Sequence, residues 1–134
     1  MPERPQYGVL DTSAYLDLHL LDPADLPALP QLTAITLAEL HQGVAMAKDP
    51  AARVARMEQL GAVVANFDPL PFDGEAAARY GTLVGLMIAA GRHPRPRRID
   101  LMIAAIASAR RLPLYTRNSD DLKGLETAVT VRAL

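Results

Sequence analysis

A three-layer α/β/α sandwich around a short-stranded, mainly parallel sheet is the fold this sequence predicts. Three observations predict it. The runs Tyr7 to Leu10, Leu32 to Ile35, Leu112 to Tyr115 and Ala128 to Val131 are too short and too apolar for a sheet with one wet face. Longer helical patterns separate them, as parallel crossovers require. A chain of 134 residues, 50% of them apolar, is the mass of one domain with one core, so a single domain is expected over 1–134.

Each element has a local reason. Tyr7 to Leu10 is closed by Asp11-Thr12-Ser13, so the first strand runs into a turn and a helix beginning near Thr12 or Ser13. Pro23, Pro27 and Pro30 punctuate the loop that follows. Leu32 to Ile35 reads as the second strand, and Thr36 to Ala47 as a helix whose buried stripe is Leu37, Leu40, Val44 and Ala47. Asp49-Pro50 is a helix start, because proline in the first turn gives up an N–H that has no partner anyway. The helix runs towards Val64, with Val54, Met57 and Leu60 inward. Phe67 to Phe72, broken by two prolines, is an edge strand or a loop. Asp73 or Gly74 opens a helix ending near Gly91. Ile99 to Arg111, apolar almost all round through Leu101 to Ala107, should be the most buried helix.

Composition narrows the chemistry. The chain has no cysteine, so disulfides, thiolate metal sites and cysteine nucleophiles are excluded, and any metal must be held by oxygen or histidine. No basic stretch precedes an apolar run at the start, and no apolar stretch reaches the roughly 20 residues of a bilayer span. A cytoplasmic protein without a membrane partner is the expectation. The net charge of -1 says little, but every cationic side chain except Lys48 and Lys123 is arginine, the residue that forks onto phosphate or carboxylate. His19, His41 and His93 have no ligand spacing and read as surface or packing residues.

In parallel sheets ligands collect at the carboxyl ends of the strands. That rule selects four acidic places. Asp11 ends the first strand, Glu39 follows the second, Asp100 opens the buried helix, and Asp120 and Asp121 follow the strand ending at Tyr115 and Thr116. Each has a structural alternative: Asp11 a helix cap, Thr36-Leu-Ala-Glu39 a capping box, Asp100 an N-cap, and the 120–121 pair a solvated turn. Taken together they are more pointed. Several carboxylates in one place repel, and a divalent cation resolves the repulsion. Oxygen ligands select hard ions such as Mg²⁺ or Mn²⁺, which activate water and engage phosphate.

The four blocks Val-Leu-Asp11-Thr-Ser-Ala, Thr-Leu-Ala-Glu39-Leu-His-Gln-Gly, Ile-Asp100-Leu-Met-Ile-Ala-Ala-Ile-Ala and Leu-Pro-Leu-Tyr-Thr116-Arg-Asn118-Ser-Asp-Asp121-Leu resemble, in order, those of PIN-domain toxins of the VapC type. The resemblance covers nearly the whole chain. It implies an endoribonuclease that uses Mg²⁺ or Mn²⁺ and cuts structured RNA such as transfer or ribosomal RNA. It also implies inhibition by a VapB-type antitoxin, and assembly as a homodimer within a toxin-antitoxin hetero-oligomer. Asp11, Glu39 and Asp100 fall on the family's first three acidic positions. Asn118 stands where many relatives have an acid, which leaves Asp121 to complete the cluster and Asn118 to bind the metal through its carbonyl or a water. That loss of charge commits the site to at least one ion rather than two. Leu122, where phenylalanine is frequent, should affect packing alone. Thr12, Ser13 and Thr116 carry hydroxyls suited to orienting the carboxylates.

Arg92-His-Pro-Arg95-Pro-Arg97-Arg98 precedes Asp100, and these four arginines are candidates to hold RNA phosphates, with a solvated loop or an antitoxin contact as the competing readings. Tyr15, Leu16, Leu18, Leu20 and Leu21 exceed what one buried helix face requires, so part of this stretch is expected to receive an amphipathic antitoxin segment, against packing in the core. Other classes fit less well. A haloacid dehalogenase phosphatase needs a second aspartate where Ser13 stands, a dinucleotide site needs glycines where Asp-Thr-Ser stands, and a receiver domain needs a lysine near the site. The remaining alternatives are a catalytically weakened RNA- or protein-binding module and an RNA-processing nuclease without an antitoxin.

Overall fold

The computed structural model describes residues 5–134. Four strands form one sheet in the order β2-β1-β3-β4, with β1 at Tyr7–Leu10, β2 at Leu29–Gln31, β3 at Leu114–Thr116 and β4 at Val131–Ala133. All three pairings are parallel. Five α-helices accompany it: α1 Thr12–Leu16, α2 Ala34–Ala45, α3 Pro50–Asn66, α4 Gly74–Ala89 and α5 Arg98–Arg110.

Side-chain alternation along the strands divides the core in two. Val9 and Leu114 pack with Leu83 and Met87 of α4 and with Leu101 and Ile103 of α5. Their neighbours Leu10 and Tyr115 point the other way, onto Ala14, Leu40 and Val63 of α1, α2 and α3. The sheet is therefore covered on both faces, as its uniformly apolar strands require. As expected, α5 is the most buried helix, with Leu101 and every residue from Ile103 to Ser108 buried.

The helix starts at Asp49 and Asp73 stand as read, each aspartate accepting a backbone N–H three residues on, at 2.8 Å from Ala52 and 2.9 Å from Ala76. Other boundaries move. The second strand lies at Leu29–Gln31 rather than Leu32 to Ile35, because Thr33 is buried and caps α2 by accepting the Thr36 N–H at 3.2 Å. Pro30 is tolerated there because β2 is an edge strand. Since Thr33 is the cap, the capping box expected from Thr36 and Glu39 does not form, and Glu39 is available elsewhere.

On α3 the inward stripe is Leu60, Val63 and, just beyond the helix, Phe67. Val54 and Met57, expected inward, are 55% and 54% exposed, since only the second half of the helix reaches the core. The segment 67–72 contributes a single bridge, Thr33 to Leu70. Leu112 closes α5 by donating to the Ala107 carbonyl, which delays β3 to Leu114. The last strand begins at Val131, after Ala128 has turned over α5 to accept a 2.7 Å bond from the Ser108 hydroxyl. No helix among the described residues is long and apolar enough to cross a membrane.

Candidate active site

Strand order reverses between β1 and β3, whose chain neighbours lie on opposite sides, and such a switch point opens a crevice beyond the carboxyl ends of the strands. Asp11 emerges there from β1, and Thr116, Asn118 and Asp121 from β3 and the short turn after it. These four and Asp100 line one narrow cleft with Leu114 and Leu122. Its volume of about 10 Å³ is room for little more than one water or one ion.

Asp11 is 7% exposed and its orientation is fixed. One carboxylate oxygen caps α1, accepting the Ala14 N–H at 2.8 Å and the Ser13 hydroxyl at 3.1 Å. The other has no donor among the described residues. The cap is thus made by one oxygen, which leaves the other available to the cleft that Asp11 lines.

Glu39 accepts a 2.6 Å hydrogen bond from the Thr12 hydroxyl. Thr12 also lies 2.9 Å from the Thr36 hydroxyl. Because the single Thr12 proton goes to Glu39, Thr36 must donate to Thr12, which gives a directed chain Thr36 to Thr12 to Glu39. Thr36, read from sequence as a cap, is in fact the buried end of this chain.

Asp100 lies in the first turn of α5, where helix N–H groups favour an anion. Its carboxyl is nevertheless held above the ordinary carboxylate range. Burial is the leading cause, followed by the charges of Asp11, Glu39 and Asp121, with Arg97 opposing them. All four expected acids therefore act on one point. They are not drawn into a finished chelate: among the described residues no three acidic or histidine side chains stand close enough to share one ion. The reason lies in the outer two, for Glu39 is held by Thr12 and Asp121 pairs with Arg97 at 3.0 Å.

Asn118 directs its amide at Ser13 at 3.5 Å, while its backbone N–H donates to the Thr116 hydroxyl at 3.0 Å. Asp120 turns away to Lys123 at 3.2 Å and is 87% exposed, so Asp121 is the member of the pair that belongs to the cluster. The four arginines separate. Arg92 donates to the carbonyls of Asp120 and Lys123 at 2.8 and 3.2 Å, and with Arg97 it secures the turn that carries Asp121. Arg95 and Arg98 are exposed, without an ion pair among the described residues. Sequence reasoning also missed Arg117, which pairs with Asp17 at 3.1 Å and ties the end of β3 to the end of α1. No local pattern marks that contact. Of the apolar stretch 15–21, Tyr15, Leu18 and Leu21 pack on the core, while Leu16 and Leu20 remain exposed.

Fold and site together define a PIN-like α/β domain with an acidic cleft at its switch point. No family profile matches the sequence. The chain is 37% identical to Ribonuclease VapC5 of Mycobacterium tuberculosis, with 100% of this chain and 98% of that protein aligned. It superposes with TM-score 0.84 and 38% identity on a chain of the toxin-antitoxin structure VapBC-5 from the same organism, covering 97% of this chain and 98% of that one. FitAcB from Neisseria gonorrhoeae is similar at TM-score 0.71 and 26% identity, over 92% of this chain and 94% of that one. The chain belongs to the VapC ribonuclease family.

Proposed function

We propose that this chain is the toxin endoribonuclease of a VapBC-type pair, hydrolysing phosphodiester bonds of structured RNA with Mg²⁺ or Mn²⁺. One observation carries the reading: at the switch point of a parallel sheet, Asp100 is pushed towards its neutral form by burial and by three other acids at once. Such a gathering weakens the fold unless a cation offsets it, and carboxylate oxygens suit a hard divalent ion. The names of the similar proteins, a ribonuclease and a toxin-antitoxin complex, support the same function.

Asp11, through its free oxygen, and Asp100 would hold the ion, with Glu39 and Asp121 completing the set and Asn118 at its edge. When bound, the ion would supply an activated water and neutralise charge at the scissile phosphate. The chain's own residues supply the rest. Ser13 and the Ala14 N–H fix Asp11, and the threonine chain fixes Glu39. Thr116 orients the backbone that presents Asn118. Arg95 and Arg98, exposed in the segment that leads to Asp100, would meet RNA phosphates. A VapB-type antitoxin segment would cover the exposed Leu16 and Leu20, on a homodimeric toxin in the cytoplasm.

Incubating the purified chain with total RNA and Mn²⁺, then sequencing the new ends, tests the reading. Defined cuts are expected, lost with EDTA and in Asp100→Asn of unchanged circular dichroism. Cleavage that persists in that variant would refute the site. Asn118 favours one second reading, a binding module without catalysis, because it lines the cleft beside Asp11, Asp100 and Asp121 with an amide that adds no charge. RNA bound but left intact would select it.

A further inference from the structure

At the far end of α5 from the acids, a second cleft of about 410 Å³ opens between the first half of α4, the residues after α5 and the start of β4. Arg79, Arg111 and Arg132 line it, with Glu126 as its acid. None of the three guanidinium groups has an ion pair or a hydrogen-bond acceptor among the described residues. Arg56, Arg92, Arg97, Arg110 and Arg117 are engaged, while the guanidinium groups of Arg53, Arg95 and Arg98 are also without a partner among the described residues but do not line this cleft. Glu126 directs both oxygens to the Gly124 N–H at 3.0 Å instead of to an arginine.

Arg111 has φ 56, and among the described residues no other non-glycine has positive φ. Glycine is favoured at this helix-ending position, and a larger residue there is strained. A cation that merely answered the α5 dipole would not need this place. Arg110 already stands in the last turn, 3.8 Å from Asp73.

We propose that this cleft is a second phosphate-binding site, holding the backbone of the RNA substrate away from the point of cleavage. The inference rests on the nuclease reading for the identity of that substrate. Guanidinium forks match phosphate oxygens, and Thr127 and Thr130, which share the lining, carry hydroxyls that can add donors. No aromatic side chain lines the cleft, so it offers no base sandwich and the contact is to backbone, independent of base sequence. Arg111, just past the end of α5, lies eleven positions after Asp100, about 16 Å at the helical rise, so a substrate reaching both sites extends well beyond the scissile bond.

An Asp100→Asn background, which binds without cutting, isolates the contact. Fluorescence anisotropy of a labelled transfer RNA transcript over a range of KCl concentrations would compare it with the same protein carrying Arg79→Gln, Arg111→Gly and Arg132→Gln. Affinity should fall at least tenfold, and the slope of log K against log salt should shrink by about one for each phosphate that is no longer neutralised. The melting temperature should hold or rise, since glycine relieves the backbone at 111, so weaker binding cannot be blamed on unfolding. An unchanged affinity and slope overturns the proposal, as does an Asp100→Asn protein that binds no RNA. An equal fall in binding to a polyglutamate peptide would reassign the cleft to acidic protein and overturn it too. If the native chain cuts no RNA while cleft-dependent binding persists, the nuclease reading fails and the cleft stands.

Discussion

Asp100 shows how a single charged side chain can be placed against stability. The first helical turn favours its anion, yet burial and three neighbouring acids outweigh that and raise its pKa above the ordinary 3.8. In the metal-free protein the ionised group is therefore a destabilising charge at neutral pH. The folded state binds the Asp100 proton more tightly than the unfolded state does, so this penalty disappears as pH falls through the raised folded pKa towards 3.8. Asp100→Asn should consequently melt higher than the native chain at pH 7 in EDTA, and the gap should close on acidification. A native chain that melts higher at pH 7 would contradict the electrostatic account. The same variant should lose more than about 100-fold in cleavage, beyond the 10–100-fold typical of residues that only orient ligands. Thr12→Val belongs to that milder class. It removes the donor to Glu39 at 2.6 Å and leaves Thr36 without its acceptor, so cleavage should fall roughly 10–100-fold, at about 1 kcal/mol of stability. A native rate for this variant would show that Glu39 needs no orientation.

At the scale of elements, the turn Ser119–Leu122 is held from one side by two arginines of the segment before α5. Arg92 bonds its carbonyls and Arg97 its acid, so the turn is fixed to the helix that carries Asp100. Arg92→Gln should loosen it at a cost of about 1 kcal/mol. Amide hydrogen exchange at 119–125 should quicken while α5 stays protected. Were Arg92 an RNA contact instead, exchange would be unchanged and the salt dependence of RNA binding would flatten. This division was not legible in the sequence, where the four arginines look alike, because partners nearly 30 residues downstream decide it. Local grammar did expose much else. Asp49-Pro50 and Asp73 announced their helices, and the apolar run 101–107 announced the central one. Where two residues competed for one local role, tertiary packing chose. Thr33 took the cap that Thr36 was expected to provide because burial at the end of the sheet selects it, and α3 turned Val63 rather than Val54 inward because only its later turns meet the core. The acids were legible one by one from the strand-end rule; their separation by Thr12 and Arg97 was not.

For the whole molecule, the described residues form four strands of three or four residues and five α-helices around a core, and the cleft at the carboxyl ends of the strands is crowded with like charge. A cation held there would act on folding as well as on chemistry, because it would bind the native cluster and find no equivalent in the unfolded chain. At a hundredfold excess over its dissociation constant an ion adds about 2.7 kcal/mol, which in a domain of this size raises the melting temperature by roughly 10 °C. Mg²⁺ or Mn²⁺ should therefore raise the melting point of the native chain with saturation, and EDTA should reverse it. Screening alone would weaken the repulsion among the acids as well, so NaCl at matched ionic strength supplies the comparison. A saturable shift beyond that control, absent in Asp100→Asn, is the signature of an ion held by the cluster. An equal shift in the variant, or in NaCl, would mean that the acids respond to ionic strength without binding an ion. In that case the side chains would keep the spacing set by Thr12 and Arg97, with no cation to draw them together.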